Sequence, residues 1–349
     1  MSDKIFVKQT LLIMAFIYVS IYAFNYFIDP YGKNREFINS INKQKLIADQ
    51  RYDKFELLKK YPDSESFLVG SSRVLRADPI YVKSLTDTNT INLAFSSATP
   101  DEYALYIDYI LQNYNVKRIL LGIDLYAFTD GFQSNGAIPF ELLDQFNQSH
   151  PFLLRHYTSY KTCAKSLKTI RYNLSGNDYP SYTSRGKMIT KEFDEIKSDE
   201  KKYNKYLKEN IMDASAKWDA KSDTLSIEKL NILYDIALKC KNKKVQLNLF
   251  MNPVYIKQIK MKDSKFYLQQ ELLKYIANNI SPIWDYNGIS SLNSDPRNFE
   301  DRFHYTAEVS NKMMFQMINN SSESYEGKLI TPDNVLKYIN DVNKKLKSL

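Results

Sequence analysis

The chain has 349 residues, of which 44% are hydrophobic, and Lys and Arg together exceed Asp and Glu by eight. This composition excludes a globally disordered chain, and the length allows one large α/β domain with a sizeable insertion. The basic excess is interleaved with acidic residues, which is typical of a solvated surface or of a face that tolerates anionic lipid or polymer. Clustered arginines and a nucleic-acid-binding motif are both missing from the sequence, so we expect no nucleic-acid partner.

The first predicted element is an N-terminal membrane anchor. Residues 10–28 form an uncharged apolar run that is long enough to cross a bilayer. Tyr18, Tyr22 and Tyr26 crowd its second half, as expected near a membrane interface. Because no small-residue cleavage site follows, we expect an uncleaved single span rather than a removed signal peptide. The charges on its two sides do not decide the orientation.

Short apolar runs followed by turn residues predict the strands of a parallel sheet. These runs cover residues 66–70, 90–95, 118–125, 245–251 and 282–285. Helical patterns lie between several of them, and the helix predicted over residues 100–113 begins with Pro and two acids. Strands that alternate with helices predict an α/β fold, specifically a three-layer α/β/α sandwich around a parallel sheet.

The predicted domain boundaries follow from the anchor and from one interruption of this rhythm. Residues 1–32 are expected to be a tail and transmembrane anchor, and residues 33–349 one domain. Residues 128–226 break the strand and helix alternation and are too long for a simple connection between a strand and the next. They are predicted to be a mostly helical, cap-like insertion.

Polar residues are concentrated where the predicted strands end, and binding sites in open α/β sheets form beyond those ends. The residues at these ends are Ser71, Ser72, Ser96, Ser97, Asp124 and Asn252. We interpret Asn252 as a turn-forming or strand-end residue outside catalysis. The others predict a serine-rich rim around the site.

A serine nucleophile needs a base within hydrogen-bonding reach and a third group that orients the base. Of the three histidines, His304 follows the last predicted strand and has Asp301 three residues before it. One turn would bring this carboxylate to Nδ1 and leave Nε2 free to take a serine proton. The predicted triad is Ser72, His304 and Asp301, with Ser71 as the alternative nucleophile.

The two cysteines, Cys163 and Cys240, lack the spacing of a zinc site, and we expect no metal and no cofactor. Two interpretations of the pair stay open. They form one disulfide outside the cytoplasm, or they are two reduced thiols in the core.

Taken together, these segments resemble the SGNH hydrolase superfamily. The Gly-Ser-Ser at residues 70–72 stands where those enzymes carry Gly-Asp-Ser, and residues 301–304 match their late DxxH. Residues 27–32, 69–73, 92–100, 121–124 and 252–254 are similar to one branch of the superfamily. That branch includes the D-alanyl transfer protein of teichoic acid modification and single-span partners of membrane-bound O-acyltransferases. The resemblance covers roughly residues 8–128 and 244–310.

The resemblance implies a function in the cell envelope. It implies an O-acyltransferase or esterase of a cell-surface polysaccharide or teichoic-acid-like polymer, anchored by one span with its main domain outside the cytoplasm. A membrane-bound O-acyltransferase is the expected partner, and the acyl group is expected to pass through an ester on Ser72. The alternative is a non-catalytic accessory protein of the same fold that binds polymer or the acyltransferase.

The oxyanion hole is where the sequence departs from the family. SGNH enzymes draw donors from the nucleophile N–H, from a glycine N–H after the second strand and from an asparagine after the third. The corresponding residues here are Ser97 and Asp124, and a carboxylate donates only when it is protonated. The hole is then incomplete, or Asp124 is protonated, or Asp124 serves the structure instead. Arg73 is either an ordinary arginine in the turn or a contact for a substrate anion.

Overall fold

The computed structural model describes residues 3–30, 40–43, 50–133, 157–175, 181–213, 222–260, 266–321 and 326–348. These residues divide into two compact units. The first unit takes those from 1–53, 136–181 and 190–192, and the second takes those from 54–135, 182–189 and 193–349. The first unit thus combines the N-terminal helix with part of the segment that was predicted to be an insertion.

The helices and strands follow one another along the whole described chain. The α-helices are α1 (Asp3–Ile28), α2 (Gln50–Lys60), α3 (Pro79–Thr86), α4 (Pro100–Asn113), α5 (Tyr160–Ser175), α6 (Lys191–Ser198), α7 (Glu200–Leu207), α8 (Ile227–Asn242), α9 (Ile256–Lys260), α10 (Phe266–Asn279), α11 (Ser291–Ser294), α12 (Ala307–Asn319) and α13 (Val335–Ser348). The strands are β1 (Ser66–Val69), β2 (Thr90–Asn92), β3 (Arg118–Ile123), β4 (Ser181–Tyr182), β5 (Met188–Ile189), β6 (Gln246–Met251), β7 (Ile283–Asp285) and β8 (Lys328–Ile330).

The first unit contains α1, which by its length and composition could cross a membrane. Residues 3–20 of this helix are all exposed, whereas its last turns pack against α5. An apolar helix whose surface stays uncovered over such a length is what a membrane span requires.

The second unit is built on a six-stranded sheet with the order β2-β1-β3-β6-β7-β8. The first five strands in this order run parallel, and β8 pairs antiparallel with β7. All four residues of β1 and the last five of β3 are buried, which explains why these strands appear in the sequence as continuous apolar runs. The predicted α/β class with a mainly parallel sheet is therefore confirmed.

Three details of the fold were not predicted from the sequence. Strand β2 ends at Asn92 instead of residue 95, although the chain still follows β1 there through a Phe95 N–H to Gly70 O bond of 3.2 Å. The insertion is not uniformly helical, because β4 and β5 form a hairpin. The Arg185 carbonyl of that hairpin accepts from the Asn92 N–H at 2.9 Å and so covers the edge of β2. The antiparallel β8 was not predicted.

The connectivity of β1 decides where a site can form. Strand β1 lies between β2 and β3, so the chain moves to one side of β1 and then crosses to the other. A crevice opens at the carboxyl end of a strand where the winding reverses in this way. Gly70 ends β1 with φ +152°, and a Cβ there would lie 2.5 Å from Val74 Cγ2, so only glycine fits. The turn that follows carries Ser72.

Candidate active site

The turn after β1 separates the roles of its two serines. The Ser71 hydroxyl is buried and accepts from the Arg73 N–H at 3.2 Å, while the Ser71 carbonyl accepts from the Val74 N–H at 3.0 Å. These bonds make Ser71 the N-cap of a short 3₁₀ segment, Ser72–Arg76. The Ser72 hydroxyl is not used in the cap and is partly exposed. The geometry therefore favours Ser72 over Ser71 as the reactive hydroxyl.

The structure brings Ser72, His304 and Asp301 together across 232 residues of sequence separation between the serine and the histidine. The His304 Nε2 lies 2.9 Å from Ser72 Oγ, and the His304 Nδ1 lies 2.8 Å from Asp301 Oδ2. When Nδ1 carries a proton for the carboxylate, Nε2 is left as an acceptor for the serine proton. This is the hydrogen-bonded relay that activates serine nucleophiles.

The loop that carries the acid and the base is shaped by Asp301 itself. Its Oδ1 accepts from the Phe303 N–H at 2.7 Å and from the His304 N–H at 2.9 Å, which forms an Asx turn. The loop is closed by a 2.7 Å bond from the Glu300 N–H to the His304 carbonyl. The spacing of three residues works because one oxygen of the carboxylate holds the turn and the other holds the imidazole.

The same contacts control the charge of Asp301. Burial would raise its pKa, but the hydrogen bond and charge of His304, with the two backbone N–H groups, outweigh burial and lower the pKa to about 2. Asp301 is therefore ionised at neutral pH and can stabilise an imidazolium on His304.

A second link, which the sequence did not predict, joins the turn that carries Ser72 to this loop. Arg76, at the end of the 3₁₀ segment, forms an ion pair with Glu300, and both side chains are largely buried. Burial raises the pKa of Glu300, although the Arg76 charge opposes that effect. The Tyr206 hydroxyl on α7 donates to the Glu300 carbonyl at 2.8 Å. Arg76 and Glu300 lie outside the motifs that the sequence offers, so only the tertiary structure revealed this pairing.

Ser97 occupies the turn after β2 with a left-handed backbone, φ +55°. This conformation favours glycine, and it is uncommon for a residue with a side chain. Within the described part of the chain, no hydrogen bond uses the Ser97 N–H. The backbone at this position therefore adopts a shape suited to glycine and leaves its donor available.

Arg73 and Asp124 form a buried ion pair beside Ser72. Arg73 Nη1 lies 2.6 Å from Asp124 Oδ1, and the Asp124 side chain has no exposed surface. Burial would lower the pKa of Arg73, but the Asp124 carboxylate outweighs it and the pKa is raised. The Arg73 guanidinium also lies near the rings of Tyr126 and Phe303, at 5.8 and 6.0 Å from their centroids.

Two further residues extend this pair into a network. Asn252 Nδ2 donates to Asp124 Oδ1 at 3.2 Å, and Asn252 Oδ1 accepts from the Tyr305 hydroxyl at 2.9 Å. Burial is the main cause of the raised pKa of Tyr305, so its hydroxyl stays protonated as a donor. Asp124 thus accepts hydrogen bonds from the network. Of the three interpretations of Asp124 given above, the geometry favours the one in which Asp124 serves the structure.

The remaining sequence predictions concern thiols and metals. Cys163 and Cys240 are both free, and burial raises the pKa of the Cys240 thiol to about 11. Among the described residues, no group of three or more His, Cys, Asp or Glu side chains is placed to hold a metal ion.

Comparison with models of known protein families and with curated proteins finds no match to this chain. The interpretation of the site therefore depends on its own geometry and on the sequence resemblance. A hydroxyl, an imidazole and an ionised carboxylate in this order can form and hydrolyse a covalent ester, which is the chemistry of acyl transfer.

Proposed function

We propose that this protein is a membrane-anchored, serine-dependent O-acyltransferase or esterase of the SGNH type that modifies a cell-envelope glycopolymer. The observation that carries the proposal is the pair of short contacts from His304, 2.9 Å to Ser72 Oγ and 2.8 Å to Asp301 Oδ2. The position of Ser72 at the reversal of a mainly parallel sheet supports the SGNH-like three-layer fold as well.

The proposed reaction has two halves. Ser72 Oγ attacks the carbonyl carbon of an acyl donor while His304 Nε2 takes the hydroxyl proton. The tetrahedral adduct collapses, the bond to the donor oxygen or sulfur breaks, and Nε2 returns the proton to that leaving group. In the second half, His304 deprotonates a sugar hydroxyl or water, which attacks the carbonyl carbon of the Ser72 ester. The bond from that carbon to Ser72 Oγ breaks, and Nε2 returns the proton to Oγ. Throughout, the ionised Asp301 keeps the ring oriented.

The proposed oxyanion hole uses the N–H groups of Ser72 and Ser97, with Arg73 as the third contact. The left-handed turn at Ser97 supports a backbone donor where the family has glycine. Among the described residues, the Arg73 side chain hydrogen-bonds only to Asp124, and a guanidinium has five N–H groups. Its remaining donors are suited to an oxyanion or to an anionic group of the substrate. In this scheme Asp124 positions Arg73 and donates nothing.

The proposed location is the outer face of the cytoplasmic membrane, with α1 as the anchor. The exposed apolar surface of α1 supports the anchor. A membrane-bound O-acyltransferase is the proposed partner, because activated acyl donors are made inside the cell and the polymer lies outside. That partner would deliver the acyl group across the bilayer to Ser72.

A second candidate is a non-catalytic accessory protein that binds polymer or the acyltransferase. It is favoured by one observation, the Arg73–Asp124 pair, because a carboxylate stands where the family has an amide donor. Loss of one oxyanion donor lowers the rate of a serine protease by about 10²–10³. The two candidates differ in whether Ser72 becomes acylated.

The test is covalent labelling of the full chain in detergent with a fluorophosphonate probe. We expect stoichiometric labelling of the wild type, with the adduct located on Ser72 by mass spectrometry, and none in Ser72→Ala. Ser71→Ala is the matched control, since it alters the neighbouring hydroxyl that only caps the turn. It should retain the labelling at the cost of about 1 kcal/mol of stability.

Full labelling of Ser72→Ala would refute the assignment of the nucleophile. A folded wild type that never labels would favour the accessory protein. Transfer is then separated from hydrolysis by following an acyl ester donor with and without polymer. Release of the acyl group that speeds up with polymer and leaves ester on the sugar supports transfer, whereas release to water alone supports an esterase.

A further inference from the structure

The first unit contains a polar attachment between α1 and α5 that a simple anchor would not need. The buried Asn25 amide donates to the Tyr157 carbonyl at 2.7 Å, and its oxygen accepts from the Ser166 hydroxyl at 2.8 Å. The Tyr157 hydroxyl donates to Asp29 at 2.6 Å. Thr162 and Thr169 of α5 are also buried. These contacts hold α5 firmly beside the last two turns of α1.

The exposure of the residues of α1 shows where along that helix α5 is attached. Residues 3–20 of α1 are exposed and residues 21–28 are mostly covered. At 1.5 Å per residue the exposed stretch is about 27 Å long, close to the roughly 30 Å hydrocarbon thickness of a bilayer. If that stretch fills the membrane, Asp3, Lys4 and Lys8 lie toward the opposite headgroups, where lysine side chains extend out of the hydrocarbon. The span is then residues 3–20 instead of the run 10–28 expected from the sequence, and α5 begins where the hydrocarbon ends.

The surface of α5 that faces away from α1 has the chemistry of a membrane interface. Tyr160, Leu167 and Leu174 recur every seven residues and are 75%, 60% and 69% exposed. Lys161 and Lys168 lie on the adjacent face, also seven residues apart, and Arg171 is next to them; all three are exposed. The helix contains no acidic residue. An apolar stripe beside a basic stripe is the pattern of helices that lie in the bilayer surface.

We propose that α5 lies in the surface of the bilayer that α1 crosses, with Leu167 and Leu174 among the acyl chains. Lys161, Lys168 and Arg171 contact anionic lipid headgroups, and the aliphatic parts of these side chains lie at the boundary between hydrocarbon and headgroups. The bilayer is the partner of the exposed face of α5, because α5 is attached to the membrane helix itself and the charge of α5 is opposite to that of anionic lipids. This inference rests on the membrane anchor in the proposed function, and it adds a second membrane contact to it.

The experiment measures fluorescence quenching by lipids that carry a quencher on the acyl chain. The full chain is reconstituted in phosphatidylcholine vesicles with or without phosphatidylglycerol, as the variants Leu167→Trp, Phe16→Trp and Ile227→Trp. Phe16 lies within the exposed stretch of α1, and Ile227 is 64% exposed on α8. Trp218 and Trp284 contribute the same background to every variant.

We expect quenching of Leu167→Trp, about twofold stronger with phosphatidylglycerol than without it. Adding Lys161→Gln, Lys168→Gln and Arg171→Gln should remove that dependence on anionic lipid. The matched triple Lys201→Gln, Lys202→Gln and Lys205→Gln, on the exposed face of α7, should leave it unchanged.

Each other outcome overturns the inference in a distinguishable way. If Phe16→Trp is quenched and Leu167→Trp is quenched no more than Ile227→Trp, α5 does not lie in the bilayer and the anchor still stands. If Phe16→Trp is not quenched, the anchor itself fails, and the inference fails with it. If Leu167→Trp responds to added polyglutamate and not to lipid quenchers, the partner of α5 is a soluble acidic polymer.

Discussion

Ser72 and Arg73 are adjacent in the chain, yet their side chains belong to two different polar clusters, one partly exposed and one buried. In the first cluster the side chains of His304 and Asp301 are 31% and 44% exposed. In the second, Arg73 and Asp124 form an ion pair with 10% and 0% of their side chains exposed. The 3₁₀ turn after β1 directs the Ser72 side chain toward the solvent-accessible loop of His304 and the Arg73 side chain into the protein. Ser72 thus faces the partly exposed loop, while Arg73 is held by a buried partner.

The difference in burial implies a difference in what each cluster contributes. Removing a partly exposed side chain has little effect on folding, so the first cluster is free to serve chemistry. Removing one member of a buried ion pair leaves an uncompensated charge, which is strongly destabilising. We therefore expect the first cluster to govern acylation and the second to govern the stability of the turn that presents Ser72.

The largest effect is expected from the triad. Ser72→Ala and His304→Ala should each lower the acylation rate by about 10⁴-fold or more, and the double variant should be little worse, because the two groups act as one unit. Stopped-flow measurement of acyl transfer to the enzyme tests this. Losses that multiply in the double variant would mean that the two residues act independently, whereas unchanged urea unfolding of all three variants supports a role in chemistry alone.

The next largest effect is expected from Arg73→Met. It leaves Asp124 buried without its cation and should lower the free energy of unfolding by about 3–5 kcal/mol. The double variant Arg73→Met with Asp124→Leu should recover much of that loss, since no buried charge remains. Urea unfolding in detergent measures both. If the double variant recovers stability but not acylation, Arg73 contributes to the chemistry as proposed; if Arg73→Met is fully stable, the pair is not structural.

Asp285 is a buried carboxylate that has no cation among its described neighbours, and it sharpens the same comparison. Asp285, at the end of β7, accepts from the Asn287 N–H and the Tyr338 hydroxyl, and burial raises its pKa to about 6. Its pKa in the unfolded chain is about 3.9. Between these values the folded state binds more protons, so stability falls as the pH rises from about 4 to about 6, and the loss persists above that.

Asp285→Asn should remove this pH-dependent loss of stability. The free energy of unfolding of the variant relative to the wild type should rise across the same pH range, by up to about 3 kcal/mol. Urea unfolding at a series of pH values from 4 to 8 measures the difference. A difference that is flat with pH would mean that Asp285 titrates alike in the folded and unfolded chains.

The smallest effect is expected at Ser97. Because its backbone is left-handed with φ +55°, Ser97→Gly keeps the N–H in place and should change the free energy of unfolding by no more than about 1 kcal/mol. Labelling by the fluorophosphonate should proceed at the wild-type rate. A large fall in the labelling rate would show that the Ser97 hydroxyl, and not its N–H, supports the reaction.

The sequence by itself determined the α/β class, the positions of five strands, the apolar N-terminal helix and the candidate nucleophile, acid and base. The class, the strands and the helix are confirmed because they depend on local patterns, whereas the catalytic roles stay predictions. Buried parallel strands are continuous apolar runs, and an Asp three residues before a His can close a turn with its own backbone. The antiparallel β8 was missed because it is only three residues long and one of them is buried.

The tertiary structure alone decided which polar residues meet. Arg76 with Glu300, Arg73 with Asp124 and Asn252 with Tyr305 are separated by 224, 51 and 53 residues, and nothing local links them. It also decided that α5 packs on α1, because the partner of a buried Asn25 can come from any part of the chain. Local patterns specify helices and strands. The free energy of burying a polar group depends on the partners it finds, and these come from distant elements that pack against it.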